Sequence, residues 1–143
     1  MSVAQTSLLP LMERRAQAGD WPWLQTLVDV QLLIKPRLSL MVLLTVAAGF
    51  LIAAPLPIPW PLLLHTVGGT ASVAFAASIL NQVLERKTDA LMLRTQGRPI
   101  AAGRVSARTA GWLGFSLAAF GLAYLLLAAG VLPAALAGVT LTV

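Results

Sequence analysis

The stretch Leu38–Leu84, "LSLMVLLTVAAGFLIAAPLPIPWPLLLHTVGGTASVAFAASILNQVL", runs for 47 residues without an Asp, Glu, Lys or Arg. A membrane-crossing helix needs ~20 predominantly apolar residues, so this run has room for two crossings and a turn between them. The proline-rich "PLPIPWP" (Pro55–Pro61) supplies the turn, and Trp60 suits a membrane interface. The spacing therefore predicts spans over about 38–54 and 62–84. A second uncharged run, the 35 residues Thr109–Val143, holds a third span over about 110–129. "GVLP" (Gly130–Pro133) then reads as a turn, and 134–143 as a partial span. Over all 143 residues, 58% are hydrophobic and 10% charged, and mean hydropathy is +0.84. Soluble domains carry ~25% charged residues. The expectation is an all-α, polytopic transmembrane helix bundle.

The two ends read differently. Residues 1–20 are mixed in character and form an amino-terminal tail that lacks the basic start and apolar core of a cleaved signal. Residues 21–35 carry an apolar stripe too short and too polar to cross, which predicts an interfacial helix with Trp21 and Trp23 at headgroup level and a break at Pro36. Ten apolar residues, 134–143, make only half a crossing. Exposed backbone groups at mid-bilayer cost several kcal/mol each. The bundle thus reads as truncated after about three and a half spans, the amino-terminal part of something longer.

A net charge of +5 and a pI near 11.2 raise the question of nucleic acid, but no basic face with interleaved aromatics accompanies them. The charge instead follows topology. Arg86, Lys87, Arg94, Arg98, Arg104 and Arg108 share one loop, and Arg14, Arg15, Lys35 and Arg37 precede the first span, while the two short turns hold no Lys or Arg. Cytoplasmic loops collect Lys and Arg, so the N-terminus and the 85–108 loop are expected in the cytoplasm. The chain has no cysteine, which excludes disulfides and thiolate metal sites.

The charged loop begins on a helical pattern. If the second helix continues past the membrane surface, Asn81, Glu85 and Asp89 stand at i, i+4 and i+8, on one ridge. Extended backwards, that ridge passes Ala77, Val73 and Gly69, a face suited to packing or to lining a cavity, and Gly68, Ser72 and Ala76 lie four apart, a spacing that lets helices approach closely in lipid. Two carboxylates and an amide are hard oxygen donors. They suit Mg2+, which keeps several waters and shares one or two carboxylates with substrate phosphates. Arg94 and Arg98 follow, where they could clamp phosphate oxygens. If the first span starts beside the charged loop, Lys35 and Arg37 could reach the same diphosphate or a haem propionate, or they anchor the span by snorkelling. The competing reading of the segment is a solvated, self-neutralising loop.

"N-Q-x-x-E-x-x-x-D-x-x-M-x-R-T-x-x-R-P", as it stands in Asn81–Pro99, resembles the first Asp-rich signature of the intramembrane aromatic prenyltransferases, in the form found in the haem O synthase branch. "LLIKPRLS" (Leu32–Ser39) and "GRVS" (Gly103–Ser106) resemble that branch too, and Glu85 stands where other branches carry Asp. The resemblance implies a bundle of more spans with a cavity open to lipid, in a bacterial inner membrane. It implies that farnesyl diphosphate is held through Mg2+ by Asn81, Glu85 and Asp89, with Arg94 and Arg98 near the phosphates. The implied reaction transfers the farnesyl group to a vinyl group of haem B, giving haem O, with haem A synthase or oxidase-assembly proteins as partners. The family's second Asp-rich signature is missing, because no acid follows Asp89. These 143 residues are therefore expected to be inactive alone.

A quinone precursor is the nearest rival acceptor, disfavoured by Glu85 and by the "M-x-R-T" of Met92–Thr95. From another class, the chain could be a non-catalytic membrane subunit or scaffold that binds partners through small-residue helix faces. A transporter is disfavoured because the spans contain no acid. His65, the one histidine, reads as a hydrogen-bonded packing residue near the outer interface and not as a haem ligand. Tyr124 and Trp112 read as packing or interface residues.

Overall fold

Proline and glycine cut the apolar chain into helices, and the cuts decide which polar groups face each other. The computed structural model describes residues 22–142; Arg14, Arg15, Trp21, the Trp23 side chain and the amino-terminal tail lie outside the described residues. The chain forms two compact units, Met1–Val30 and Gln31–Val143. The described part of the first is helical from Pro22. Among the described residues there are five helices, in order α1 (Pro22–Ile34), α2 (Pro36–Ala53), α3 (Trp60–Leu91), α4 (Ala107–Ala128) and α5 (Val131–Thr142). No strand occurs among the described residues. By length and composition α2, α3 and α4 can each cross a membrane, and α5 is a shorter apolar helix.

Each break has a local cause. Between α1 and α2 only Lys35 leaves the helical path, with φ 44° and ψ 65°, and Pro36 opens α2. Proline has no N–H and is tolerated only in the first turn of a helix. The same rule explains why α5 already begins at Val131, inside the expected "GVLP" turn: Pro133 falls in its first turn, where no helical hydrogen bond is lost. Gly130 alone takes the positive φ, 98°, that reverses the chain, and its N–H and that of Ala129 both return to the Leu125 carbonyl.

At 1.5 Å per residue α3 is about 48 Å long, well beyond the ~30 Å hydrocarbon core. The helix continues unbroken past Leu84 to Leu91, so Glu85, Arg86, Lys87 and Asp89 extend the same helix beyond its uncharged part.

Antiparallel packing of α3 on α4 forms the centre of the second unit. Gly114 lies against Ile79 and Leu80, Gly121 against Ser72 and Val73, and Gly69 against Leu125 and Tyr124. A Cβ on Gly121 would come within 2.8 Å of Val73 Cγ2 and 3.1 Å of the Val73 backbone nitrogen. With no hydrophobic drive between helices in lipid, such close backbone approach supplies the contact area. Gly68, read as part of the small-residue stripe, faces open space, and its neighbour Gly69 makes the contact. α5 packs on α4 and α3, and α2 packs on α3. Leu33, Ile79, Ile100 and Ala110 form a buried cluster at the charged end, and Val73, Leu125 and Ala137 form another deeper in the bundle. Along α2, by contrast, Leu38, Met41, Leu44 and Ile52 are all more than half exposed, a surface that water would not tolerate and lipid or further helices would cover.

Candidate functional site

The site is built where α3 leaves the apolar layer. Before that point along α3, residues of α2, α3 and α5 together with Lys35 border an open cavity of about 480 Å³. Apolar and small side chains line most of it, including Val42, Val73, Ala77 and Leu141, and its polar lining includes Lys35, Ser39, Ser78 and Asn81. That volume lies in the usual range for small-molecule sites, and a mostly apolar wall with a few convergent polar groups is their usual form. Of the ridge read from the sequence, Val73, Ala77 and Asn81 line this cavity, while Glu85 and Asp89 lie one and two turns beyond Asn81 along the same helix.

The loop after α3 folds back onto this ridge. Arg98 Nη1 donates to Asp89 Oδ2 at 2.6 Å and lies 3.3 Å from Glu85 Oε2. The Asp89 side chain is 7% exposed and that of Arg98 23%, so the shorter pair is largely withdrawn from water, whereas Glu85 is open at 47%. Two local devices deliver Arg98 there. The Thr95 hydroxyl, buried, donates at 3.2 Å to the Asp89 carbonyl, which also accepts the Met92 N–H at 3.3 Å, so both close the last turn of α3. Pro99 and Ile100 are buried, and Ile100 joins the cluster with Leu33, Ile79 and Ala110. The loop read as a solvated segment is thus pinned at both ends of "TQGRPI".

Among the other expected site residues, Lys35 is half-buried and lines the cavity with Asn81. Arg94 and Arg37 are exposed, and neither lines the cavity. Arg86 turns back to the Val83 carbonyl at 2.8 Å, and Arg104 donates to the Gly97 carbonyl at 3.0 Å, so part of the loop's basic charge holds the loop itself. His65 lies near the other end of α3, where its Nδ1 is 2.6 Å from Tyr124 Oη, and Phe120 stacks on Tyr124. That pair staples α3 to α4 far from the charged loop.

Sequence reasoning held Ser39, Gln82 and Thr95 only as members of quoted motifs, with no structural role, and passed over Ser78. Gln82 is 1% exposed, and its Nε2 donates to the carbonyls of Leu32 and Leu33 at 2.9 and 3.0 Å. A glutamine placed beside apolar neighbours on an otherwise buried face was the available signal.

Among the described residues no three His, Cys, Asp or Glu side chains gather into a metal-binding group. The donors present are two carboxylates and an amide on one ridge. Their chemistry fits a hard cation that takes only one or two carboxylates from protein and the remainder from phosphates and water. Arg98 Nη1 reaches one oxygen of each carboxylate and is the group such a cation would have to share them with.

The profile of the UbiA prenyltransferase family matches residues 42–143. The chain belongs to the UbiA prenyltransferase family. Its relatives include a protein named protoheme IX farnesyltransferase in Anaeromyxobacter sp. (strain Fw109-5), 47% identical over 118 residues, which are 82% of this chain and 40% of the relative. Proteins of the same name in Legionella pneumophila (strain Corby) and Hahella chejuensis are 39% identical over 109 residues and 41% identical over 97 residues. Those matches cover 76% and 68% of this chain, but 37% and 32% of the relatives. The chain thus spans about two fifths or less of the length of these UbiA relatives. No solved structure matches it. The matched region, 42–143, takes in the Asn81 ridge, the Arg98 loop and the α3 and α5 sides of the cavity, whereas the cavity residues Lys35, Leu38 and Ser39 precede it.

Proposed function

We infer that this chain forms the diphosphate-binding half of a membrane enzyme that transfers a farnesyl group from farnesyl diphosphate to a vinyl group of haem B, giving haem O. The observation that carries this reading is the single unbroken helix α3, which takes Asn81, Glu85 and Asp89 from the mouth of an apolar cavity out to the charged loop. An isoprenoid tail suits the apolar wall and a diphosphate suits the polar end. The names of the UbiA relatives support farnesyl and haem as donor and acceptor, and Glu85 with Met92–Thr95 favours haem over a quinone precursor. Nothing in the packing favours the scaffold reading, since the polar ridge is turned to a cavity and a basic loop.

In this mechanism Asn81, Glu85 and Asp89 would hold Mg2+, which would supply positive charge to the departing diphosphate, and Arg98, Arg94, Lys35 and Arg37 receive the diphosphate oxygens. Arg98 is already seated between two carboxylates, so it is positioned to follow that charge with charge-assisted hydrogen bonds. The apolar wall keeps bulk water from the allylic cation until the acceptor attacks. Because no Asp or Glu follows Asp89, a second carboxylate cluster has to come from outside these residues, and the 143 residues alone should not turn over. The membrane is the bacterial inner membrane, α1 lies along its cytoplasmic surface, and the 85–108 loop faces the cytoplasm, in keeping with its six basic residues.

The test is equilibrium binding of farnesyl diphosphate, with Mg2+, to the complete enzyme and to its Asn81→Ala, Glu85→Ala and Asp89→Ala variants. Product analysis with haem B and with a quinone precursor accompanies it. Each substitution should weaken binding at least tenfold, and haem O should be the product. Unchanged binding in all three would favour a scaffold.

A further inference from the structure

The one-residue elbow between α1 and α2 is held by side chains that the reaction itself does not require. In a continuous helix the carbonyls of Leu32, Leu33 and Ile34 would accept from the N–H groups of residues 36, 37 and 38. Pro36 has none, and the left-handed turn at Lys35 redirects the Leu38 N–H to the Lys35 carbonyl. Three carbonyls are left without helical partners. All three are met by side chains. Gln82 Nε2 donates to Leu32 and Leu33, Ser78 Oγ donates to Leu33 at 2.8 Å, and Ser39 Oγ donates to Ile34 at 2.8 Å. Ser78 and Gln82 are one turn apart on α3, beside the ridge of Ala77 and Asn81.

The conformation held this way is unfavourable for the residue that adopts it. A φ of 44° belongs to the left-handed region, where glycine is the usual occupant after a helix and a long side chain is strained. Here a lysine takes it, and that lysine lines the cavity with Asn81. Strain retained at such a position points to a use for the side chain. Gln82 also gives up half of its own bonding to the arrangement: its Oε1 is buried and has no hydrogen-bond partner. Turning the amide over would set that oxygen against two carbonyls, so the observed orientation is the only one the clamp allows.

We propose that Ser78 and Gln82 are positioning residues that lock the Lys35 elbow to α3, so that the Lys35 ammonium is presented at the cavity mouth beside Asn81 to bind the diphosphate. This rests on the reading of the cavity as the prenyl diphosphate site. It adds that the diphosphate affinity contributed by Lys35 depends on a carbonyl clamp from a helix distant in sequence.

The test is a double-mutant cycle on the complete enzyme, read as the Kd for farnesyl diphosphate with Mg2+ present. Lys35→Met should weaken binding about tenfold, the size of one charge-assisted hydrogen bond. Ser78→Ala with Gln82→Met should weaken it similarly, and adding them to Lys35→Met should change little further, because the clamp then has no ammonium to place. If the clamp substitutions weaken binding equally with and without Lys35, they act only through general stability and the proposal fails. Should the Gln82→Met protein not fold, Ser78→Ala alone carries the cycle, with an expected effect of about threefold that disappears in the Lys35→Met background; persistence there is again refutation. Asn81→Ala separates the two readings. If it weakens binding while Lys35→Met does not, the clamp proposal fails and the site stands; if neither does, the site reading itself is wrong.

Discussion

Replacing Arg98 by Met should destabilise this unit more than any other single change in the charged loop, and the structure sets the scale. The Arg98 Nη1 to Asp89 Oδ2 distance of 2.6 Å is that of a charge-assisted hydrogen bond, and the Asp89 side chain is only 7% exposed. Removing one partner of a buried pair costs ~3–5 kcal/mol, because the other charge is left unpaired. Arg98 retains 23% exposure, so water reaches the site and the lower end, about 3 kcal/mol, applies. Asp89→Asn should cost less, about 1–2 kcal/mol, since Arg98 keeps Glu85 at 3.3 Å and some solvent. The double variant removes both charges and should cost about 2 kcal/mol, leaving a coupling of about 2 kcal/mol between the two positions. The assay is reversible unfolding in mixed micelles titrated with a denaturing detergent and followed by helical circular dichroism. Additive effects, with a coupling below about 0.5 kcal/mol, would show that Asp89 does not depend on Arg98 and would overturn the account of how the loop is held.

Three further outcomes follow from the packing and the charge pattern. Gly121→Ala should destabilise α3 on α4 by about 1–2 kcal/mol in the same unfolding assay, because its Cβ meets Val73 backbone as well as side chain, whereas Gly68→Ala should be neutral or stabilising by up to ~1 kcal/mol. Tyr124→Phe, which removes the partner of His65 Nδ1, should cost about 0.6 kcal/mol, and His65→Gln should leave haem binding by the complete enzyme unchanged. A reporter domain fused at Pro57 should be found outside the cytoplasm, as the absence of Lys and Arg from Pro55–Pro61 requires; a cytoplasmic reporter would reverse the orientation.

Helices and their order were legible in the residues because their causes are local. An uncharged run of a given length, a proline cluster and a glycine act within a few positions of themselves, and the positive-inside bias is a count. The Asn81, Glu85 and Asp89 ridge is of the same kind, since a period of 3.6 aligns i, i+4 and i+8 whatever surrounds the helix. Partner choice is different. That Arg98 and not Arg94 turns to the carboxylates depends on Thr95 capping α3 and on Ile100 entering a cluster with Leu33, Ile79 and Ala110. That Gly69 and not Gly68 meets α4 depends on the rotation of α3 about its own axis, which the stripe of small residues leaves open by one position. Gln82, Ser78 and the carbonyls of Leu32 and Leu33 are far apart along the chain, and each polar group had many candidate partners until the helices were packed. The residues of this protein determined where the chain forms its apolar helices, turns and gathers charge. Only the packed bundle decided which side chains satisfy the elbow at Lys35 and the buried Asp89, because a buried polar group takes its partner from whichever element the tertiary fold places within hydrogen-bond reach.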